Sequence, residues 1–310
     1  MKKIIGWLST IILLGLLVFC YIYREQIVTF VMGNAVQYAN VEVKDANEYK
    51  NDFPFKFVEE TDDFHVKDRQ GILNVIYTVL NNGWDEFTFY CDNNYKKCTN
   101  DLADISNDQA LLSVINNMVS PYNSYEKLYI TTNNYGKATV SVQKLYSNDD
   151  IKKINEKIET IKNEVINDSM SDREKINAYH DYVINNSSYD EERAVNIEKG
   201  NTESSTYNSH KANGPLLEGK ALCSGYSDAM KLYLDELKIP NYKIANNNHI
   251  WNLVYIDGQW LHLDLTWDDP VTTDGSNLLL HKFFLVTTNE LSGLDSTNHT
   301  FEASYYPEVG

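Results

Sequence analysis

The chain has 310 residues, enough for two domains or for one domain with additions, and its 43% hydrophobic content is enough to bury a core. Its 44 acidic against 27 basic side chains leave a net charge of −17, which repels nucleic acid and anionic lipid and excludes DNA and RNA as partners. No block of five or six like charges occurs, so the acidity reads as a solvated surface.

Lys2 and Lys3 precede an uncharged, mostly apolar run from Ile4 to Tyr23, IIGWLSTIILLGLLVFCYIY. As a helix rising about 1.5 Å per residue it spans about 30 Å, the thickness of a bilayer's hydrocarbon core. A cleaved signal peptide ends in small residues of A-x-A type, whereas this run ends in FCYIYREQ. Bulky Val18 and Phe19 argue against a lipid-modified Cys20. The two lysines should stay in the cytoplasm, which sends everything after Arg24 outside. The expectation is a single-pass protein of the cell membrane, with a cytoplasmic tip and signal-anchor helix over 1–23 and extracytoplasmic domains beyond. In that oxidising setting Cys91 and Cys98, seven apart in YCDNNYKKC, suit a disulfide, and without a second pair or nearby histidines they make a poor zinc site. Cys223 is then the odd thiol.

Residues 24–51 are mixed and polar without a strong period and read as a stalk. A small α/β accessory domain is predicted over 52–148. Ile72, Val75, Ile76, Val79 and Leu80 share one helical face that ends at Asn82-Gly83. WDEFTFYC alternates like a strand, and Leu111, Leu112, Ile115 and Met118 mark a second helix. KLYITT and KATVSVQKLY flank NNYG in the pattern of a β-hairpin. This unit gathers no catalytic groups.

The second unit, 149–310, opens with a helix on which Ile151, Ile154, Ile158, Ile161 and Val165 repeat at steps of three and four. Ser171 and Glu174 then form a capping-box pattern ahead of a helix through Ile176, Tyr179 and Val183. The stretch from Asn186 to Gly214 is polar and expected to be an extended surface loop, a length often tied to function. Tyr226, Met230, Tyr233, Leu234 and Leu237 recur at helical spacing before Pro240, which places Cys223 at the start of a helix. There the free amides and the positive end of the macrodipole favour a thiolate. Gly219, Ala221 and Gly225 are small enough to admit a substrate carbonyl, and the same amides could hold the oxyanion formed on it. A buried structural thiol is the competing reading.

In HIWNLVYIDGQWLHLDLTWDD, residues 249–269, two alternating runs flank Asp257-Gly258, a dipeptide that suits a two-residue type I′ hairpin. With that turn, paired residue numbers sum to 515, so His249, Trp251, Asp264 and Thr266 share one face. His249 and Asp264 become diagonal neighbours within reach of an imidazole–carboxylate hydrogen bond. Cys223, His249 and Asp264 would then supply nucleophile, base and orienting acid. His262, on the same face two residues before Asp264, remains a rival for the histidine role. His65, His180, His210, His281 and His299 show no comparable carboxylate partner in the sequence and read as surface or packing residues.

The order C-S-G-Y, H-x-W-N-L-V and W-L-H-L-D-L-T-W-D-D resembles the transglutaminase-like superfamily, specifically bacterial members with a papain-like Cys-His-Asp core. The likeness covers about Asp172 to Pro270, including REKINAYHDYVINNSSYD ahead of the nucleophile. It implies an α+β, papain-like or transglutaminase-like catalytic domain, with the nucleophile on Cys223, the histidine on His249 rather than His262, and the aspartate on Asp264. It also implies acyl transfer at a protein or peptide amide through a Cys223 thioester, with water or an amine deciding between proteolysis, deamidation and cross-linking. Hydrolysis of a surface protein or cell-wall peptide is favoured. An oxyanion-assisting group is not placed by the likeness; Tyr207, Asn208 and Trp251 are the candidates for oxyanion or substrate contact. The calcium sites of animal transglutaminases have no counterpart, Asp268 and Asp269 read as a turn, and neither metal nor cofactor is expected. The alternative is a binding module that keeps the fold without turnover and assembles cell-surface proteins.

Overall fold

The computed structural model describes residues 2–37, 40–200, 206–272 and 278–309. Two helices open it, α1 (Lys2–Ile22) and α2 (Arg24–Gln37). The side chains of residues 2–11 lie outside the described set, but those from Leu13 to Ile22, Leu17 and Phe19 among them, stand exposed. Among the described residues no single helix is long and apolar enough to cross a membrane. Ile12–Ile22 and Arg24–Met32 meet that requirement only as a pair bent by 73°. The chain bends at Tyr23, at the end of the expected span Ile4–Tyr23, and half of the expected stalk is α2. From Asp45 onward the chain is tied to the body: the Trp84 indole donates to the Asp45 carbonyl at 3.1 Å and the Asn47 side-chain amide to Asn123 at 2.7 Å.

Next come β1 (His65–Val66), α3 (Arg69–Asn81), β2 (Glu86–Cys91), α4 (Cys98–Asn107), α5 (Gln109–Met118), β3 (Tyr125–Thr132) and β4 (Lys137–Lys144). The sheet order is β1-β2-β4-β3. Asp68 caps α3 by accepting the Gly71 amide, and Gly83 ends it at φ +69°, a conformation glycine adopts without steric cost. The Cys91–Cys98 disulfide joins the end of β2 to the first residue of α4. That helix escapes the sequence pattern because only Cys98, Leu102 and Ile105 on it are buried.

The remainder comprises α6 (Asn148–Val165), α7 (Asp172–Asn186), β5 (Ser188–Tyr189), α8 (Glu191–Glu198), β6 (Lys220–Ala221), α9 (Cys223–Glu236), β7 (Asn241–Ala245), β8 (Ile250–Ile256), β9 (Gln259–Leu263), α10 (Leu265–Asp268) and α11 (Thr288–Leu294). Both α6 and α7 start with capping boxes, Ser147 with Asp150 and Ser171 with Glu174. The antiparallel sheet β7-β8-β9 lies between two hydrophobic clusters. Tyr242, Ile244, Trp251 and Leu253 face the cluster built on α3, α5 and β2, while Val254, Leu261 and Leu263 face the one built on α6, α7 and α9.

Asn186–Gly214 is not the extended surface loop that its polarity suggests. It holds β5, which pairs in parallel with β6, and α8, and its end is buried: Ser209, Ala212, Asn213 and Gly214 are all covered. Residues 201–205 of that stretch lie outside the described residues.

Candidate active site

Helix α9 presents the thiol. Leu222, its N-cap, makes no side-chain cap, so the first amides of the helix carry the positive dipole end past Cys223 without a side-chain acceptor. Cys223 is a free, half-buried thiol. Buried polar groups fix the helix beneath it: Asp228 accepts from the Tyr146 hydroxyl at 2.6 Å and the Lys243 ammonium at 2.5 Å. One turn after the cysteine, Ser227 donates to the Ile250 carbonyl at 3.2 Å and accepts the Asn252 amide at 3.0 Å on its own carbonyl. The helix start is thereby locked to the start of β8. Gly225 serves this packing rather than substrate access. A Cβ there would lie 2.2 Å from the Ser209 carbonyl oxygen, which already occupies the space.

The hairpin adopts the two-residue turn, with Asp257 and Gly258 at φ +54° and +81°, and the register Ile256↔Gln259 through Asn252↔Leu263. His249, one residue before β8, reaches Asp264 with Nε2 2.5 Å from Oδ2. Its ring stacks on Trp251 at 5.4 Å between centroids, tilted by 18°. Burial alone would depress this imidazole; the Asp264 carboxylate and then the neighbouring Cys223 sulfur outweigh burial and push it up to about 10. With Nε2 committed to Asp264, Nδ1 is the nitrogen left for the sulfur.

Asp264 is fully buried, which would raise its carboxyl, but His249 and His299 together hold it well below the usual carboxylate range. Its Oδ1 accepts the amides of Thr266 at 2.8 Å and Trp267 at 3.3 Å, so Asp264 also caps α10.

His299, which shows no carboxylate partner in the sequence, has two in the fold and is neither a surface nor a mere packing residue. It is buried, with Nε2 2.9 Å from the same Asp264 oxygen and Nδ1 2.8 Å from Asp295 Oδ2. A chain Cys223, His249, Asp264, His299, Asp295 results. Its last two members lie about 30 residues beyond Asp264, where no periodic signal links them to the site. The rival, His262, is engaged elsewhere. Its Nδ1 accepts the Trp251 indole N–H at 3.0 Å, its Nε2 meets the Thr288 hydroxyl at 3.1 Å, and burial pushes it down to about 3.

The three oxyanion candidates are placed as follows. Trp251 has its N–H bound to His262 and forms the wall under His249. Asn208 donates its side-chain amide to Glu218 at 2.7 Å, and the Tyr207 carbonyl accepts from Arg193 at 2.7 Å. Tyr189 of β5 was not foreseen. Burial raises its hydroxyl to about 12, and the charge of the Cys223 sulfur adds to that shift.

Among the described residues, two groups bring ligand atoms within 4.8 Å of one another: His249, Asp264 and His299, and separately His180, Asp181 and His281. His180 and His281 thus have the carboxylate neighbours that the sequence did not reveal. Asp268 and Asp269 are likewise more than a turn: Asp268 accepts the amides of Lys282 and Phe283, and Asp269 accepts the Tyr226 hydroxyl and is raised by burial to about 6. A cavity of about 750 Å³, lined by Tyr49, Leu232 and Glu236 among others, opens at the far end of α9. At about 1.5 Å per residue it lies some 14 Å or more from Cys223.

Residues 159–265 match the family model described as the transglutaminase-like superfamily. That segment begins in α6 and ends just past Asp264. A crystal structure of a TGase is 18% identical with a TM-score of 0.34, over 46% of this chain and 45% of that one, so this chain spans less than half of its length. No curated protein matches the chain.

Proposed function

From the transglutaminase-like core that this chain carries over residues 159–265, we propose a membrane-anchored, extracytoplasmic acyl-transfer enzyme that acts on protein or peptide amides. The observation that carries the reading is the 2.5 Å contact between His249 and Asp264 beside the thiol at the start of α9. His249, whose ring is held charged at neutral pH beside Asp264, carries the proton given up by Cys223, and the sulfur attacks the amide carbonyl carbon. Amides at the start of α9 face the oxyanion. His249 then returns the proton to the leaving amine as the carbon–nitrogen bond breaks, which leaves a thioester. Water adds to the thioester and releases the acid and the thiol, completing hydrolysis. Asp264 fixes the ring and favours its charged form throughout.

Hydrolysis is the favoured outcome because a half-exposed thioester needs no second pocket for an amine. The extracytoplasmic placement rests on the apolar N-terminal helices and on the Cys91–Cys98 disulfide, a bond of oxidising compartments. Residues 52–148 are assigned a role in presenting a surface protein or wall peptide.

Iodoacetamide alkylation of Cys223, followed by peptide mass spectrometry on the full chain at neutral pH, tests the reading. His249→Ala is expected to slow labelling by about tenfold or more, while His262→Asn leaves it within about twofold. Free cysteine labelled in the same reaction serves as the control. Equal rates in all three proteins would mark an ordinary thiol and favour a binding module that keeps the fold without turnover.

A further inference from the structure

We propose that His180, Asp181 and His281 form a binding site for one divalent transition-metal ion of the zinc type, separate from the catalytic residues. His180 is wholly buried on α7, and its ring lies between two carboxylates: Nδ1 is 2.9 Å from Asp181 Oδ1 and Nε2 is 3.2 Å from Asp268 Oδ2. His281, on the segment after α10, places Nε2 2.7 Å from the same Asp181 oxygen. One carboxylate oxygen therefore sits between two imidazole nitrogens, and the three atoms lie within 4.8 Å of one another. Donors about 2.0–2.2 Å from a tetrahedral zinc ion stand about 3.3 Å apart. From 2.9 and 2.7 Å the two nitrogen–oxygen distances would have to lengthen by about 0.4 and about 0.6 Å to reach that spacing.

Asp268 carries the argument beyond proximity. A ligating imidazole ordinarily donates its second N–H to a carboxylate, which fixes the tautomer and leaves the other nitrogen's lone pair for the ion. Asp268 offers such an acceptor to His180 Nε2, and it is itself held by the amides of Lys282 at 2.8 Å and Phe283 at 2.9 Å. Asp181 is oriented in the same way by the Asn177 side-chain amide, 3.2 Å from Oδ2. Exposure rises from 0% at His180 to 29% at Asp181 and 42% at His281, so the site opens on one side to solvent. Water would complete the coordination there. Two imidazoles and one carboxylate suit zinc, cobalt or nickel, and they do not suit calcium, which takes six to eight oxygens.

The ion would clamp α7 to the segment that supports the catalytic aspartate. Val286 pairs with His262, and the Phe283 carbonyl accepts the Asp264 amide at 3.1 Å. The inference does not depend on turnover at Cys223.

The test is Co²⁺ and Zn²⁺ binding to the full chain in detergent after chelator treatment and dialysis. One ion per chain is expected, with the visible absorption of low-coordinate cobalt and an unfolding temperature that rises with Zn²⁺. His281→Ala and Asp181→Asn are expected to weaken binding by about tenfold to a hundredfold while folding normally, since both positions reach solvent. His299→Asn, which disrupts the other histidine cluster, should leave affinity within about twofold. No binding by the parent protein overturns the proposal, as does binding that survives His281→Ala and Asp181→Asn. Loss in His299→Asn alone would place the ion at the catalytic cluster and equally overturn it.

Discussion

The ion pair between His249 and Asp264 ties the chemistry of the site to its stability. The two groups shift in opposite directions, the imidazole up to about 10 and the carboxyl well down, because each is buried against the other. A histidine whose folded value lies above its unfolded value of about 6.5 stabilises the fold fully below that pH and loses the contribution as pH climbs toward the folded value. The depressed aspartate works in the other direction. Its contribution is present above about pH 4 and disappears only as the solution becomes more acidic than that. The stability advantage of the parent over His249→Gln should therefore be constant between about pH 5 and pH 6.5 and shrink steadily toward about pH 10. Denaturant unfolding followed by tryptophan fluorescence, repeated across that range, reads the difference directly. An advantage that grew with pH would mean that the ring is a neutral acceptor, and the proton route written above would have to be abandoned.

At the scale of elements, the β8-β9 hairpin was legible and the chain leading into α9 was not. Alternation and Asp257-Gly258 together leave one favourable turn, and a two-residue turn fixes every pairing above it, so the sequence alone puts His249 and Asp264 on one face. Residues 208–214 carry no such constraint. They are small or polar, and Ser209 and 212–214 among them are buried by contacts with chain distant in sequence, such as the Leu222 amide on the Ser209 carbonyl at 2.7 Å and the Ala212 amide on the Tyr146 hydroxyl at 2.7 Å. Burial of a polar segment on its backbone bonds leaves no periodic trace. The same packing makes Gly225→Ala informative. A methyl 2.2 Å from the Ser209 carbonyl oxygen must push this segment off the first turn of α9, where backbone meets backbone and nothing flexible can yield. Overpacking of this kind costs about 1–3 kcal/mol. Urea unfolding should show that loss, together with slower Cys223 alkylation as the helix start shifts. A variant as stable as the parent would show that the segment has room to move and does not position the thiol.

Over the whole molecule, the longest-range contacts were the least visible. The supports of Asp264 come from Phe283, Asp295 and His299, beyond the span that matches the family model, and the cluster built on α3, α5 and β2 takes in Tyr242, Ile244, Trp251 and Leu253 of the site's own sheet. The region 52–148 and the site therefore share a core, and events at the outer edge of that region bear on the whole. Its Cys91–Cys98 disulfide is the clearest such event, because it reports compartment as well as stability. Closing so short a loop stabilises the fold by about 2–3 kcal/mol through the unfolded chain alone. The anchored, extracytoplasmic reading predicts three linked results in intact cells. The protein should stay with the membrane after carbonate washing, and added protease should digest it from outside. Cys91 and Cys98 should resist alkylation until a reductant is added, while Cys223 labels without one. Recovery in the soluble fraction would remove the anchor, since the exposed apolar side chains of α1 and α2 would then need another cover. Cys91 and Cys98 that label without reductant, in protein that outside protease cannot reach, would place these domains in the cytoplasm and reverse the orientation drawn from Lys2 and Lys3.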